Sequence, residues 1–348
     1  MTAIYAILVF GLIIFVHELG HFAAAKAAGI TVYEFTIGFG PAIVKKQIGE
    51  TLYAIRLLPI GGAVVMKDEN EDPPESAVPE QLQSDEGSFQ KASWLQRFSV
   101  VIAGSAMNFI TGVLLILLVT LPASHVAQPV ISEFAEGFPL EDTLQIGDRF
   151  ININGFHIFT YGDISMALQM AGDTPFDLTI ERDGEKIRLE DVPLERRDYD
   201  GNGQLRYGLT FGYDEISGLG KVKYAVNNAF SFFQSAYKSI GLMIGGQAKT
   251  SDLMGTIGIA SEISNRAEQS MGEMWYFVAY ISVNLSFVNM LPIPGLDGGK
   301  LFFMLIELVV GRKLDPKWEN YCSYIGLFLV LLLFIFATYN DILRLIRA

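Results

Sequence analysis

The first 25 residues, MTAIYAILVFGLIIFVHELGHFAAA (Met1 to Ala25), decide how the rest of this 348-residue chain is read. A bilayer core about 30 Å thick is crossed by about 20 apolar residues in a helix, and this run has that length. Inside it stands His17-Glu18-Leu19-Gly20-His21, with the spacing H-E-x-x-H. On a helix the two imidazoles share one face a turn apart with Glu18 beside them, an arrangement that holds a divalent metal next to a base. The chain has only four histidines. Ionisable groups inside an apolar span are costly, so this cluster points to function rather than to helix packing. No Lys or Arg precedes the run, which therefore lacks the basic flank of a secretory signal and reads as a span.

The composition agrees with lipid contact. Hydrophobic residues make up 51% and charged residues 18%, against about 25% charge in a soluble domain, and the mean hydropathy is +0.34. The net charge of −13, with no cluster of Lys and Arg, argues against nucleic acid as a partner. A single cysteine, Cys322, rules out an internal disulfide and a cysteine-based zinc ribbon.

Further apolar runs lie at Phe98 to Pro122 and Tyr324 to Leu345. A fourth, Trp275 to Pro294, carries Asn284 and Asn289 and ends in Pro292 and Pro294, so it reads as a span that unwinds at one end. Lys and Arg concentrate in the segments 24–97 and 295–320, which places both on the cytoplasmic side and puts the two termini and the long middle segment outside. The expected fold is a multi-pass α-helical membrane protein with about four transmembrane helices, a membrane-associated β region and one extracytoplasmic α+β domain. Its expected layout is a first span at 1–25, a cytoplasmic-side β region and acidic loop at 26–97, and a second span at 98–122. An extracytoplasmic domain at 123–215 and an amphipathic, interfacial region at 216–270 follow. A third, partly unwound span at 271–298, a cytoplasmic-side loop at 299–320 and a fourth span at 321–348 complete it.

Between the first two spans, residues 33–66 are rich in β-branched and aromatic residues broken by glycines, which predicts paired strands dipping into the membrane beside a watery cavity. Residues 68–87, DENEDPPESAVPEQLQSDEG, have almost nothing to bury and read as a mobile loop. In the middle segment, short strands at Arg149 to Asn154, Phe176 to Arg182 and Lys186 to Leu189 flank a helix near Asp163 to Met170. With LQIGDRFINING (Leu144 to Gly155), this module resembles a PDZ domain, which would either capture a peptide or restrict access from outside. Val226, Phe230, Phe233, Tyr237, Ile240 and Ile244 then recur at helical spacing beside Lys221, Lys223 and Lys238, as in a helix lying at the membrane surface.

Zinc held by two imidazoles takes a third protein ligand and keeps one position open for water. No His follows within Phe22 to Gly29, and His125 and His157 fall in the outward segment. Asp297, in Leu291-Pro-Ile-Pro-Gly-Leu-Asp-Gly-Gly299, lies at the inner end of the fourth run at the expected depth of His17 and His21. It is the best candidate, with a helix N-cap as the structural alternative. Other divalent ions also bind such ligands.

The set HELGH, GFGP, LPIGG, AGSAMNF and SVNLSFVNMLPIPGLDGG, spread over nearly the whole chain, resembles the site-2 protease family of intramembrane zinc metalloproteases, in the bacterial subgroup with outward PDZ-like domains. The resemblance implies that His17, His21 and Asp297 bind Zn2+ and that Glu18 is the catalytic base. It also implies that Asn108, Asn284, Asn289, Pro292 and Pro294 receive substrate. The implied reaction is cleavage of single-span membrane proteins, such as anti-sigma factors or remnant signal peptides, in the bacterial inner membrane. Two other functions are weighed against it. A non-catalytic PDZ-like scaffold predicts no bound metal, and a metal transporter predicts repeated halves with two broken spans, where this sequence has one broken span and no repeat.

Overall fold

The first apolar run forms helix α1 (Thr2–Ala27), followed by two long, bent strands, β1 (Val32–Ile48) and β2 (Thr51–Met66), and by helix α2 (Trp94–Thr120). Next come β3 (His125–Phe134), β4 (Arg149–Ile153), β5 (Phe156–His157), α3 (Tyr161–Ala171), β6 (Phe176–Arg182), β7 (Glu185–Val192) and β8 (Leu209–Glu215). Five helices end the chain: α4 (Leu219–Ile244), α5 (Thr256–Gln269), α6 (Met271–Asn289), α7 (Asp297–Val310) and α8 (Pro316–Arg347). This computed structural model describes residues 2–69, 86–172, 175–246, 254–312, 314 and 316–347. Most of the acidic run read as a mobile loop therefore lies outside the described residues. The chain divides into two units, Met1–Leu115 with Ala236–Ala348, and Ile116–Ser235.

Three helical stretches among the described residues are long and apolar enough to cross a bilayer: Ile4–Ala27, Trp94–Thr120 and Tyr321–Arg344. The chain is a membrane protein. The fourth apolar run forms α6 but is not one of the three. It packs one face against protein, burying Met274, Val278, Ala279, Ser282, Val283, Ser286 and Phe287, while Tyr280 and Val288 stay exposed, so its serines face other helices. One of them, Ser282, donates its hydroxyl to the carbonyl of Asn108 at 2.8 Å. Val9 and Ile13 of α1 pack with Ile263 of α5 and with Met274 and Val278 of α6. Small residues let helices approach here without a hydrophobic driving force. A Cβ at Gly20 of α1 would meet the carbonyl of Ala103 on α2, and one at Gly112 of α2 would meet Val283 on α6.

The strands behave as four segments. Glu34 to Ile37 stand between two parts of β2, facing Gly62 to Val65 on one side and Leu52 to Ile55 on the other, while Val44 to Ile48 pair with Ile55 to Thr51. Gly62 to Val65 are thus an edge: among the described residues they pair with β1 alone. Toward the hairpin's far end, Phe39, Ile43, Val44, Leu57 and Leu58 are exposed and apolar, as the expected dip into lipid requires.

In the second unit the sheet runs β7-β6-β4-β3-β8, with β5 on β4. Buried residues of its strands, among them Ile131, Phe150, Ile153, Phe176, Leu178 and Ile180, form the core with Leu144. Buried Asp148 accepts two bonds from the Arg182 guanidinium, both at 2.7 Å. At the start of α3, Asp163 accepts the backbone N–H of Thr160 at 2.8 Å and the hydroxyl of Ser231 of α4 at 2.6 Å. Helix α4 buries its small and polar residues Ala225, Asn228, Ala229 and Ser231, and it leaves Phe230 and Tyr237 of the apolar face exposed. The sequence reading of 216–270 as one amphipathic region did not separate α5, which has its own buried Ile263 and Ser264.

Helix α8 is mostly exposed but is tied down near its end. Buried Asp341 accepts the backbone N–H groups of Gly255 at 3.1 Å and Gly258 at 2.8 Å, at the start of α5. Removing that acceptor leaves two donors without a partner, so Asp341→Ala is expected to destabilise the full chain by about 2 kcal/mol. Thermal melting in detergent reads this as a lowered midpoint, with Asp341→Asn in between; an unchanged midpoint for Asp341→Ala would rule the tie out.

Candidate metal centre

The H-E-x-x-H spacing does on α1 what helical geometry dictates. His17 Nε2 and His21 Nε2 lie 3.2 Å apart, and each is 3.2 Å from Asp297 Oδ2. Asp297 Oδ2 is buried and accepts no hydrogen bond. Three electron-rich atoms at such spacing repel one another unless a cation stands among them. The donor set fits zinc: a triangle with these sides has its corners about 1.8 Å from its centre, just inside a zinc–ligand distance of about 2.0–2.1 Å. His17, His21 and Asp297 would hold such an ion, and three protein ligands would leave one position for water.

The carboxylate arrives there because the chain stops being helical before it. Helix α6 ends at Asn289, and Pro292 and Pro294 remove backbone donors from the link that follows. The link then folds over the start of α7. A Cβ at Gly298 would strike the backbone of Met290 and Leu291, and one at Gly299 would strike Ile293 and Pro294, so the Gly-Gly pair after Asp297 is sterically required. Leu296, not Asp297, occupies the N-cap position of α7, which leaves the aspartate side chain for another task.

Neighbouring groups orient the imidazoles. His21 Nδ1 donates to the carbonyl of Val100 at 2.8 Å, which fixes the tautomer with a lone pair on Nε2. Asn108 Nδ2 lies 3.4 Å from His17 Nδ1, while Asn108 Oδ1 is buried without a partner. Amide nitrogen and oxygen are interchangeable assignments. Turned over, the same amide offers Oδ1 to the Nδ1–H of His17, which frees Nε2. Asn289 Nδ2 stands 3.4 Å from His17 Nε2.

A cavity of about 250 Å³ opens on this cluster, lined by His17, Glu18, His21, Asp297, Lys300, Glu69 and the strand residues Ala63 to Met66. Gly62 abuts Glu18, and Gly104 abuts both imidazoles, so a Cβ at either glycine would collide with these side chains.

Not every candidate residue comes to the pocket. Asn108 and Asn289 stand beside His17, whereas Asn284 gives its amide to the carbonyl of Tyr280 on its own helix at 2.8 Å. Pro292 is exposed, and Pro294 packs where a Cβ at Gly326 of α8 would collide with its carbonyl. His125 and His157 are exposed residues of the second unit. Sequence reasoning missed the Val100 carbonyl, Glu69 and Lys300. Lys300 was accessible to it, since a residue three after Asp297 shares its helix face. Backbone carbonyls carry no sequence signal.

Two imidazoles, a carboxylate and an adjacent glutamate in a pocket among membrane helices define a membrane metalloprotease site. Residues 5–333 match Peptidase family M50, and the chain belongs to this family, the site-2 proteases; it is a zinc metalloprotease. It is 32% identical over 349 residues to a protein of Campylobacter jejuni named as a zinc metalloprotease, covering 98% of this chain and 93% of the relative. It is 29% identical over 418 residues to the regulator of sigma-W protease RasP of Bacillus subtilis, covering 99% of each.

Gly104→Ala places a methyl group against both imidazoles. It is expected to strip most of the zinc from purified protein, whereas Gly11→Ala, at a site with open space, retains it. Metal analysis of the two variants beside the wild type checks this, and full zinc occupancy in Gly104→Ala would show that the close approach is dispensable.

Proposed function

We propose that this protein is an intramembrane endopeptidase that cleaves single-span membrane proteins near the cytoplasmic face. The observation that carries the reading is the sharing of one pocket by Glu18, by the three convergent ligand atoms and by the free edge Ala63 to Met66. In this reading His17, His21 and Asp297 hold zinc. Zinc bound there would supply a water of strongly lowered pKa and a polarised scissile carbonyl. Glu18 takes a proton from the attacking water and delivers it to the departing amine, so that water adds across the C–N bond and leaves a carboxylate and an amine. Asn108 holds His17 in register. Asn289 is placed to donate to the carbonyl oxygen as charge builds on it.

A peptide bond in a helix is shielded by its own hydrogen bonds, so the substrate span has to be drawn out. Adding it as a strand along Gly62 to Met66 does this, with main-chain bonds replacing helical ones. Pro292 and Pro294 belong to the link after α6 that makes room, and Asn284 lies on the helix within two turns of it. We take α6 as a fourth span and place the protein in the bacterial inner membrane with both termini and the second unit outside, in keeping with the Lys and Arg distribution. The Bacillus relative's name, a regulator of sigma-W, supports anti-sigma factors as one substrate class; remnant signal peptides are the other.

The second unit supports a PDZ-like role. A groove of about 520 Å³ lies beside the sheet's edge strand β8, lined by Tyr161, Ile164 and Leu168 of α3 with Tyr207, Leu209 and Phe211. Its shape suits an extended peptide added to β8.

A tethered single-span reporter tests the catalytic assignment. Glu18→Gln is expected to slow its cleavage by about 10²–10⁴-fold while keeping zinc. His21→Ala and Asp297→Asn are expected to lose both zinc and activity. Undiminished cleavage by Glu18→Gln would end the role assigned to Glu18.

A further inference from the structure

Among the described residues, Lys300 is the only lysine or arginine lining the metal pocket, and it shares that pocket with three carboxylates, Glu18, Asp297 and Glu69. It sits one helical turn after Asp297 on α7 and pairs with Glu69, which follows the edge strand by three residues. The two partners are unequally open, with the Lys300 side chain 41% exposed and that of Glu69 only 9%. The same pair lines an adjoining cavity of about 230 Å³, where Arg97 is held by Glu307 at 2.9 Å, with side chains only 8% and 13% exposed. Arg97 is therefore sealed by its partner, and Lys300 is the cation that a molecule in either cavity can reach.

Hydrolysis makes one new anion. Adding water across the C–N bond leaves a carboxylate on one fragment, beside three carboxylates in a pocket where an uncompensated charge is expensive. We propose that Lys300 is the carboxylate-receiving group of this pocket, held by Glu69 at rest and turned to an incoming carboxylate in use. This rests on the proteolytic reading above. The carboxylate has two sources, the terminus created by cleavage or an acidic side chain flanking the scissile bond, and the position of Lys300 at the end of the strand edge serves both.

The test uses the full-length zinc-loaded protein in detergent, as wild type, Lys300→Gln, Lys300→Arg and Glu69→Gln. One arm measures inhibition of reporter cleavage by the upstream product peptide as free acid and as carboxamide. The other compares cleavage of reporters carrying Asp or Asn beside the scissile bond. If the new terminus is the ligand, the acid-over-amide ratio falls about tenfold in Lys300→Gln, is kept in Lys300→Arg and rises in Glu69→Gln. If a side chain is the ligand, the Asp-over-Asn ratio follows that pattern instead. Both ratios staying within about twofold of wild type in Lys300→Gln overturns the proposal. Should Lys300→Gln fail to fold, Glu69→Gln decides, since no rise in either ratio is equally fatal. Failure here leaves wild-type cleavage dependent on Glu18 and so is distinct from failure of the proteolytic reading.

Discussion

The convergence of His17, His21 and Asp297 at 3.2 Å from one another is the constraint on which the rest of the first unit depends. Without a cation the arrangement is unfavourable, because lone pairs of two imidazoles and a carboxylate oxygen face one another away from water. With a cation it becomes a cross-link between the start of the chain and α7. Metal binding and folding are then linked, since an ion that binds only the assembled site stabilises the assembled state. The glycines follow from the same constraint. Gly20 and Gly104 bring α1 and α2 together behind the imidazoles, Gly298 and Gly299 fold the link onto α7, and Gly326 lets α8 press on Pro294. Each removes a side chain where a backbone or a ligand has to pass.

In the proposed membrane placement a second requirement falls on irregular backbone, which is tolerated there only where protein or a water-filled cavity takes over its hydrogen bonds. The link from Met290 to Leu296 meets it through its own turns: Ile293 N–H bonds the Leu291 carbonyl at 2.7 Å and Leu296 N–H bonds the Ile293 carbonyl at 3.1 Å. Two prolines leave fewer donors to satisfy. The β region meets it differently, by folding β1 and β2 so that only outer segments keep an open side. One of these segments lines the metal pocket. A backbone edge inside an apolar surrounding is a liability unless something pairs with it, and a substrate strand is what the proposed reaction supplies.

The sequence was most informative where periodicity and chemistry coincide. H-E-x-x-H on an apolar run carries both a helical face and a ligand set, and the three helices long and apolar enough to cross a bilayer stand where composition put them. Asp297 was different: residue type and depth left an N-cap open, and only the position of Leu296 at the cap separates the two. The strands β3 and β8 escaped reading because strands of mixed polarity have no strong alternation; β8, at the sheet's edge, is largely exposed. The apolar spacing in α4 was legible, but its direction was not. Spacing defines a face without saying whether protein or lipid covers it, and here the small residues pack while Phe230 and Tyr237 stay exposed. Asn108 illustrates a further limit, since its contact with His17 joins residues on two different helices.

Among the described residues, both units present a strand edge paired on one side only, Gly62 to Val65 in one and β8 in the other, each beside a cavity. Pairing along an edge uses main-chain groups that every residue except proline possesses, so it holds a peptide extended while telling little about its sequence. Selectivity in a protein built this way has to come from what flanks the edges. In the metal pocket the flank is polar and charged, with Lys300, Glu69 and the ligand cluster. In the second unit it is mainly aromatic and aliphatic, with Tyr161, Leu168, Tyr207 and Phe211. The flanks of the two edges therefore differ in chemistry: in the proposed function one would discriminate by charge and the other by apolar side chains.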